Sequence, residues 1–261
     1  MILTVAGIVV KILGGMNRIL LSRLLGGEGI GLYQMAYPVY ILLLSIAGAG
    51  IPIAVSIMVA EQTAKGNYSG AKRIFHITLI TMIIAAFFCG AAMLFGSQAL
   101  IQYGIVRDER ALLPLVVLAP ALTISIITCC FRGYFQGLQL MTPTAVSQMA
   151  DQFVRVCTML ILAWMFLPYG LEKAAAGATF GAVPGAAVGL AVIVLLYYRH
   201  TRTPLPADTQ VYTPCRASQV IRRLAVLAVP AEFGGVRDFK ADAVVHAGLP
   251  GVVPGDVHGM G

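Results

Sequence analysis

Apolar runs of about 20 residues, the length that crosses a bilayer core, recur along this chain at 2–25, 32–60, 75–98, 112–135, 146–167 and 174–198. In lipid a helix can satisfy all of its own backbone hydrogen bonds. The expected fold is therefore an all-α integral membrane protein with six spans, and a seventh beginning near Leu224. Composition agrees: 59% of residues are hydrophobic and 11% charged, against roughly 25% charged in soluble domains. The first run has neither a basic leader nor a clear small-residue cleavage site, so it reads as a span and not as a signal peptide.

Charge placement sets the expected orientation. The connection 61–74 carries Lys65, Lys72 and Arg73, and 199–223 carries Arg199, Arg202, Arg216, Arg222 and Arg223. Positive loops stay in the cytoplasm. The alternate connections carry little net charge, which places the N-terminus inside. The formal net charge of +7 is then mainly a topology signal. A nucleic-acid partner would need a basic soluble domain, and none is present.

The first span contains Lys11, Asn17, Arg18 and Arg23. A charge near the bilayer centre costs about 2.5–3.5 kcal/mol on insertion scales, so such residues usually face a partner or a wet cavity. A cationic inner face points to an anionic cargo, with these four residues as its candidate binding set. The fourth and fifth spans carry a second pattern. Ser125, Thr128, Arg132, Gln136 and Gln139 are spaced to share one helical face, and Gln148, Asp151, Arg155 and Thr158 share another. Asp151 and Arg155 form an i, i+4 pair, and Arg132 is within reach of Asp151 across the hairpin. The three are either a structural ion pair joining two helices or a gate and coupling group.

Span two is interrupted by Gly48, Gly50 and Pro52, a candidate hinge. Tyr33, Tyr37 and Tyr40 share one face, as interfacial belt aromatics or as a platform for sugar rings or an apolar cargo. Gly177, Gly181, Gly185 and Gly189 recur every four residues, a spacing that lets helix backbones approach closely. The five cysteines form no C-x-x-C pair, which argues against a metal or disulfide framework. No nucleophile and base set is evident, so enzymatic function and a cofactor are not expected.

Three strings carry a family resemblance: KILGGMNRILLSRLLGGEGIGLYQMAYPVY (11–40), AGIPIAVSIMVAEQTAKG (49–66) and FRGYFQGLQLMTPTAVSQMADQFVRV (131–156). They resemble the polysaccharide biosynthesis and stage V sporulation protein B branch of the multidrug/oligosaccharidyl-lipid/polysaccharide exporter superfamily. The branch is similar to lipid II flippases, in which two six-helix lobes enclose a cavity that opens alternately to either side. The resemblance implies a bacterial plasma membrane and a lipid-linked anionic oligosaccharide as partner. It also implies a cavity-lining role for Arg18 and Arg23.

Against that family, residues 1–230 are expected to correspond to one six-helix lobe with the start of a seventh span, a truncated N-terminal half. The Gly, Val, Ala and Asp-rich stretch 231–261 lacks helical or strand periodicity and reads as an off-frame, disordered tail. Its Asp238, Asp242, His246, Asp256 and His258 are expected to hold no metal. The leading expectation is a lipid-linked oligosaccharide flippase, inactive while its second lobe is missing, or pairing as a homodimer. A cation-coupled drug exporter of the same superfamily and a non-transporting remnant are the alternatives.

Overall fold

The structure, a computed structural model, describes residues 2–45, 50–103, 109–202 and 220–224. Its long elements, all helical, are α1 (Ile2–Leu44), α2 (Gly50–Ala64), α3 (Tyr68–Gln102), α4 (Leu112–Gly137), α5 (Met141–Phe166), α6 (Leu171–Phe180) and α7 (Ala182–Arg202). Short 3-10 turns at Glu109–Ala111 and Leu167–Tyr169 lead into α4 and α6.

A straight α1 would measure about 64 Å, twice the hydrocarbon thickness. Gly26 breaks it. With φ 68° and ψ −173° this residue is far outside helical geometry, in a region that glycine enters without steric cost. The two arms then run in opposite directions. The first arm follows α5, with Gly14 against Gln152 and Asn17 against Met159. The second follows α4 instead, with Glu28 paired to Arg110 and Tyr40 bonded to Ser125. α4 and α5 are themselves antiparallel, so the arms form a helical hairpin.

The second arm and α2 make one pass beside α4, because Pro52 meets Gly133 and Val59 meets Gly137. α3 returns along α4, with Phe75 against Phe131 and Gly90 against Thr123. α6 and α7 return along α5. The described helices thus make six passes. The start of α1, the turns at 65–67 and 138–140 and the end of α7 lie on one side, and Gly26, the start of α4 and the α5–α6 turn lie on the other. Five helical segments are long and apolar enough to cross a membrane by length and composition, and α2 is a shorter apolar helix.

Local chemistry fixes the turns. Asn67 accepts the Gly70 N–H at 2.8 Å and so caps α3. The α4 terminus closes with Gln139 N–H on Gln136 O and Leu140 N–H on Phe135 O, both at 2.9 Å. That Schellman pattern needs a left-handed residue after the helix. Gln139 fills it at φ 59° and therefore leaves the helical face on which its spacing had placed it. Between α6 and α7, Pro184 has no N–H to offer the Phe180 carbonyl, and the helix divides at Gly181.

α4 is the central element. Phe75, Phe131, Tyr134 and Tyr197 join their rings across α3, α4 and α7 at centroid separations from 4.6 to 5.1 Å for the Phe75 contacts. Val220 and Leu224 are buried in this same core, and Arg223 pairs with Glu61 at 3.2 Å. Residues 220–223, expected as loop, are therefore helical, and α7 extends to Arg202. Helices in lipid gain little from apolar burial, so close backbone packing has to hold them. Phe87, Phe88, Phe95 and Trp164 point outward from the bundle, as lipid-facing side chains do.

Candidate functional site

The first arm of α1 presents three faces. Ala6, Leu21 and Leu25 are buried, while Ile8, Ile12 and Ile19 are exposed on the opposite side. Between them stand Lys11 and Arg18, seven residues apart and within about 20° of each other around the helix. Both are exposed, and neither is ion-paired among the described residues. Arg23 is exposed about 140° away from Arg18. Asn17 points inward: its Nδ2 donates to Met159 Sδ at 3.3 Å, and its Oδ1 is buried without a partner. The structure thus groups Lys11 with Arg18 and separates both from Asn17 and Arg23.

A second cluster joins α4, α5 and α7. Arg155 donates Nη2 and Nε to Asp151 Oδ1 at 3.0 and 3.3 Å. Arg132 reaches Asp151 Oδ2 with Nη2 at 3.6 Å. The same Nη2 donates to Ser147 Oγ at 3.4 Å, and Ser147 donates to the Gly189 carbonyl at 2.9 Å. The three charged side chains are 14–17% exposed. Two cations therefore share one carboxylate, and one positive charge is left over. Arg132 is the poorly held partner, because its contacts are long and its buried Nε has no acceptor. Leaving a buried donor unmade costs about 1–3 kcal/mol.

The glycines of α6 and α7 make the cluster possible. A Cβ at Gly181 would come within 2.5 Å of Met159, at Gly185 within 2.7 Å of Arg155, and at Gly189 within 2.8 Å of Asp151. The four-residue glycine period thus seats α7 directly on the charged turn of α5. Ser147, one turn before Asp151 and on its face, was not picked out by spacing alone, since a lone serine in an apolar run carries no signal until α7 is in place.

Tyr33, Tyr37 and Tyr40 form a ladder on the second arm. Tyr33 stacks on Tyr37 at 5.5 Å, and Tyr37 tilts toward Tyr40 at 5.9 Å. Tyr40 is buried, with its hydroxyl 3.1 Å from Ser125 Oγ near the middle of α4. The ladder consequently descends into the bundle instead of lying along its rim as a belt. Of the hinge residues, Gly50 and Pro52 open α2, where Gly133 lets α4 approach the Pro52 backbone closely. Gly48 lies outside the described residues, as does the stretch 231–261. No cluster of His, Cys, Asp or Glu able to hold a metal occurs among the described residues.

Residues 1–225 match the polysaccharide biosynthesis protein family. The chain belongs to that family. As a member it is a multi-pass membrane protein of the polysaccharide biosynthesis branch. Three relatives come from Bacillus subtilis (strain 168). Stage V sporulation protein B is 37% identical over 203 residues, covering 77% of this chain and 39% of the relative. Lipid II flippase MurJ is 33% identical over 217 residues, covering 79% of this chain and 40% of the relative. Sporulation protein YkvU is 26% identical over 271 residues, covering 99% of this chain and 58% of the relative. This member of the polysaccharide biosynthesis family thus spans about two fifths of the first two relatives.

Proposed function

We propose that this lobe forms one wall of a path that carries a lipid-linked anionic oligosaccharide across a bacterial plasma membrane, in support of cell-wall or spore-envelope synthesis. The observation that carries the reading is unbalanced positive charge along apolar helices: exposed Lys11 and Arg18 without ion pairs among the described residues, and two largely buried arginines on one carboxylate. Such charge at membrane depth stabilises an anion that would otherwise lose its hydration. The similarity to a lipid II flippase supports the same direction.

In this mechanism Arg18 and Lys11 hold the phosphoryl headgroup, the tyrosine ladder lies beside the sugars, and the Arg132–Asp151–Arg155 cluster gates the near side. Arg23, exposed and away from Arg18, snorkels toward the interface. In this reading the near side, with the N-terminus, faces the cytoplasm, which the basic connections support. Alternating access needs two bodies that move against each other, so the lobe acts with a separate facing lobe. A cation-coupled drug exporter would need a free intramembrane carboxylate, whereas Asp151 is held by two guanidinium groups.

The test is binding and flipping of a fluorescent lipid-linked oligosaccharide by the purified chain in liposomes. Saturable binding is expected, weakened at least tenfold by Arg18→Ala and partly restored by Arg18→Lys, which keeps charge but loses the planar fork. Flipping by the chain alone should not exceed that of empty vesicles. Equal binding of a neutral glycolipid would overturn the cargo reading, and protein-dependent flipping would overturn the need for a separate lobe.

A further inference from the structure

The Arg132–Asp151–Arg155 cluster is asymmetric in a way that a purely structural bridge does not require. Arg155 holds Asp151 Oδ1 with two donors at 3.0 and 3.3 Å. That pair is already neutral. Arg132 adds a second positive charge at 3.6 Å from Oδ2, leans on Ser147 at 3.4 Å, and keeps a buried Nε with no acceptor. Its side chain is nevertheless 17% exposed, and Gln136, one turn further along α4 on the same face, is also partly exposed. A guanidinium is always charged and offers donors matched to two oxygens of a carboxylate or phosphoryl group. Here it has neither a full set of acceptors nor a counter-charge of its own.

We propose that Arg132 is the binding residue of a phosphoryl-oxyanion site, occupied when it exchanges its long contact with Asp151 for the incoming anion. Asp151 loses little in the exchange because Arg155 continues to neutralise it. Ser147 stays in place through its bond to the Gly189 carbonyl, so its oxygen continues to accept from Arg132 in either arrangement. The exchange also removes the ionic link between α4 and α5, which couples anion arrival to the freedom of those two helices. The choice of a phosphoryl group rests on the cargo reading above, and the surplus positive charge of the cluster does not.

The experiment is thermal unfolding of the purified full chain in detergent, titrated with inorganic pyrophosphate at constant ionic strength, with chloride as the parallel arm. Pyrophosphate should raise the melting temperature saturably by several degrees, and chloride by much less. Arg132→Gln should abolish the rise. Asp151→Asn removes the competing carboxylate and should lower the apparent dissociation constant at least threefold. A rise that persists unchanged in Arg132→Gln, or no rise in both the wild-type chain and Asp151→Asn, would overturn the assignment. A rise lost in Arg18→Ala but kept in Arg132→Gln would move the anion to α1, overturning this site while leaving the cargo reading standing.

Discussion

Gly189 on α7 lies so close to Asp151 on α5 that a methyl group on its Cα would meet the aspartate Cβ at 2.8 Å. The glycine period is therefore tied to the charged cluster and not only to helix association. Gly189→Ala should destabilise the protein by about 1–3 kcal/mol, the usual cost of overpacking. Gly189→Leu should sharply reduce folded protein in the membrane. Denaturant unfolding of the purified variants checks the first, and size-exclusion recovery the second. Wild-type stability for Gly189→Ala would mean that α7 sits further from α5 than described.

The charge balance gives a second expectation. Asp151→Ala leaves Arg132 and Arg155 together without a carboxylate, and breaking a buried pair in this way costs about 3–5 kcal/mol. Replacing Arg132 instead leaves the Arg155–Asp151 pair at 3.0 Å intact and should cost clearly less. Unfolding midpoints of the two single variants, measured in the same detergent, decide this. A larger loss for Arg132→Ala than for Asp151→Ala would reverse the ranking.

The left-handed Gln139 offers a gain. Its φ of 59° carries a steric penalty of about 1–2 kcal/mol that glycine avoids. Gln139→Gly should raise stability by about 1 kcal/mol, less whatever entropy the more flexible unfolded chain recovers. A lowered melting temperature in the purified variant would show that the glutamine side chain contributes more than its backbone costs.

Orientation is open to direct labelling. In a cysteine-free background, single cysteines at Lys65 and Arg202 should resist an impermeant reagent applied to intact cells, and one at Tyr103 should react. The described helices already place 65 and 202 on one side and 103 on the other, so labelling of both 65 and 103 from outside would contradict the fold as well as the charge argument.

Much of this was legible in residue spacing. The 151 and 155 pair, and the reach of Arg132 across the 138–140 turn, follow from helical periodicity, because neighbouring turns on one face must meet. The glycine period likewise announced a close helix contact. Spacing was silent on features that depend on a third element. Asn17 resembled a cavity ligand among bases, yet its rotation around α1 turns it onto Met159. Tyr40 looked like a rim aromatic until the hairpin at Gly26 brought it alongside Ser125. Gln139 continued a polar stripe in sequence, but the helix ends two residues before it and the chain reverses there.

That hairpin also constrains how the protein enters the membrane. The turn at Gly26 is so short that almost nothing but Gly27, Glu28 and Gly29 has to be carried to the far side between the first pass and the second. Two helices joined so tightly enter lipid as a single insertion unit, each satisfying its own backbone as it goes. An error in the orientation of the first arm would then be copied into the second, and Tyr40 would lose Ser125 along with Asn17 losing Met159. The short turn at Gly26 thereby ties the facing of the basic side of α1 to the placement of the second arm.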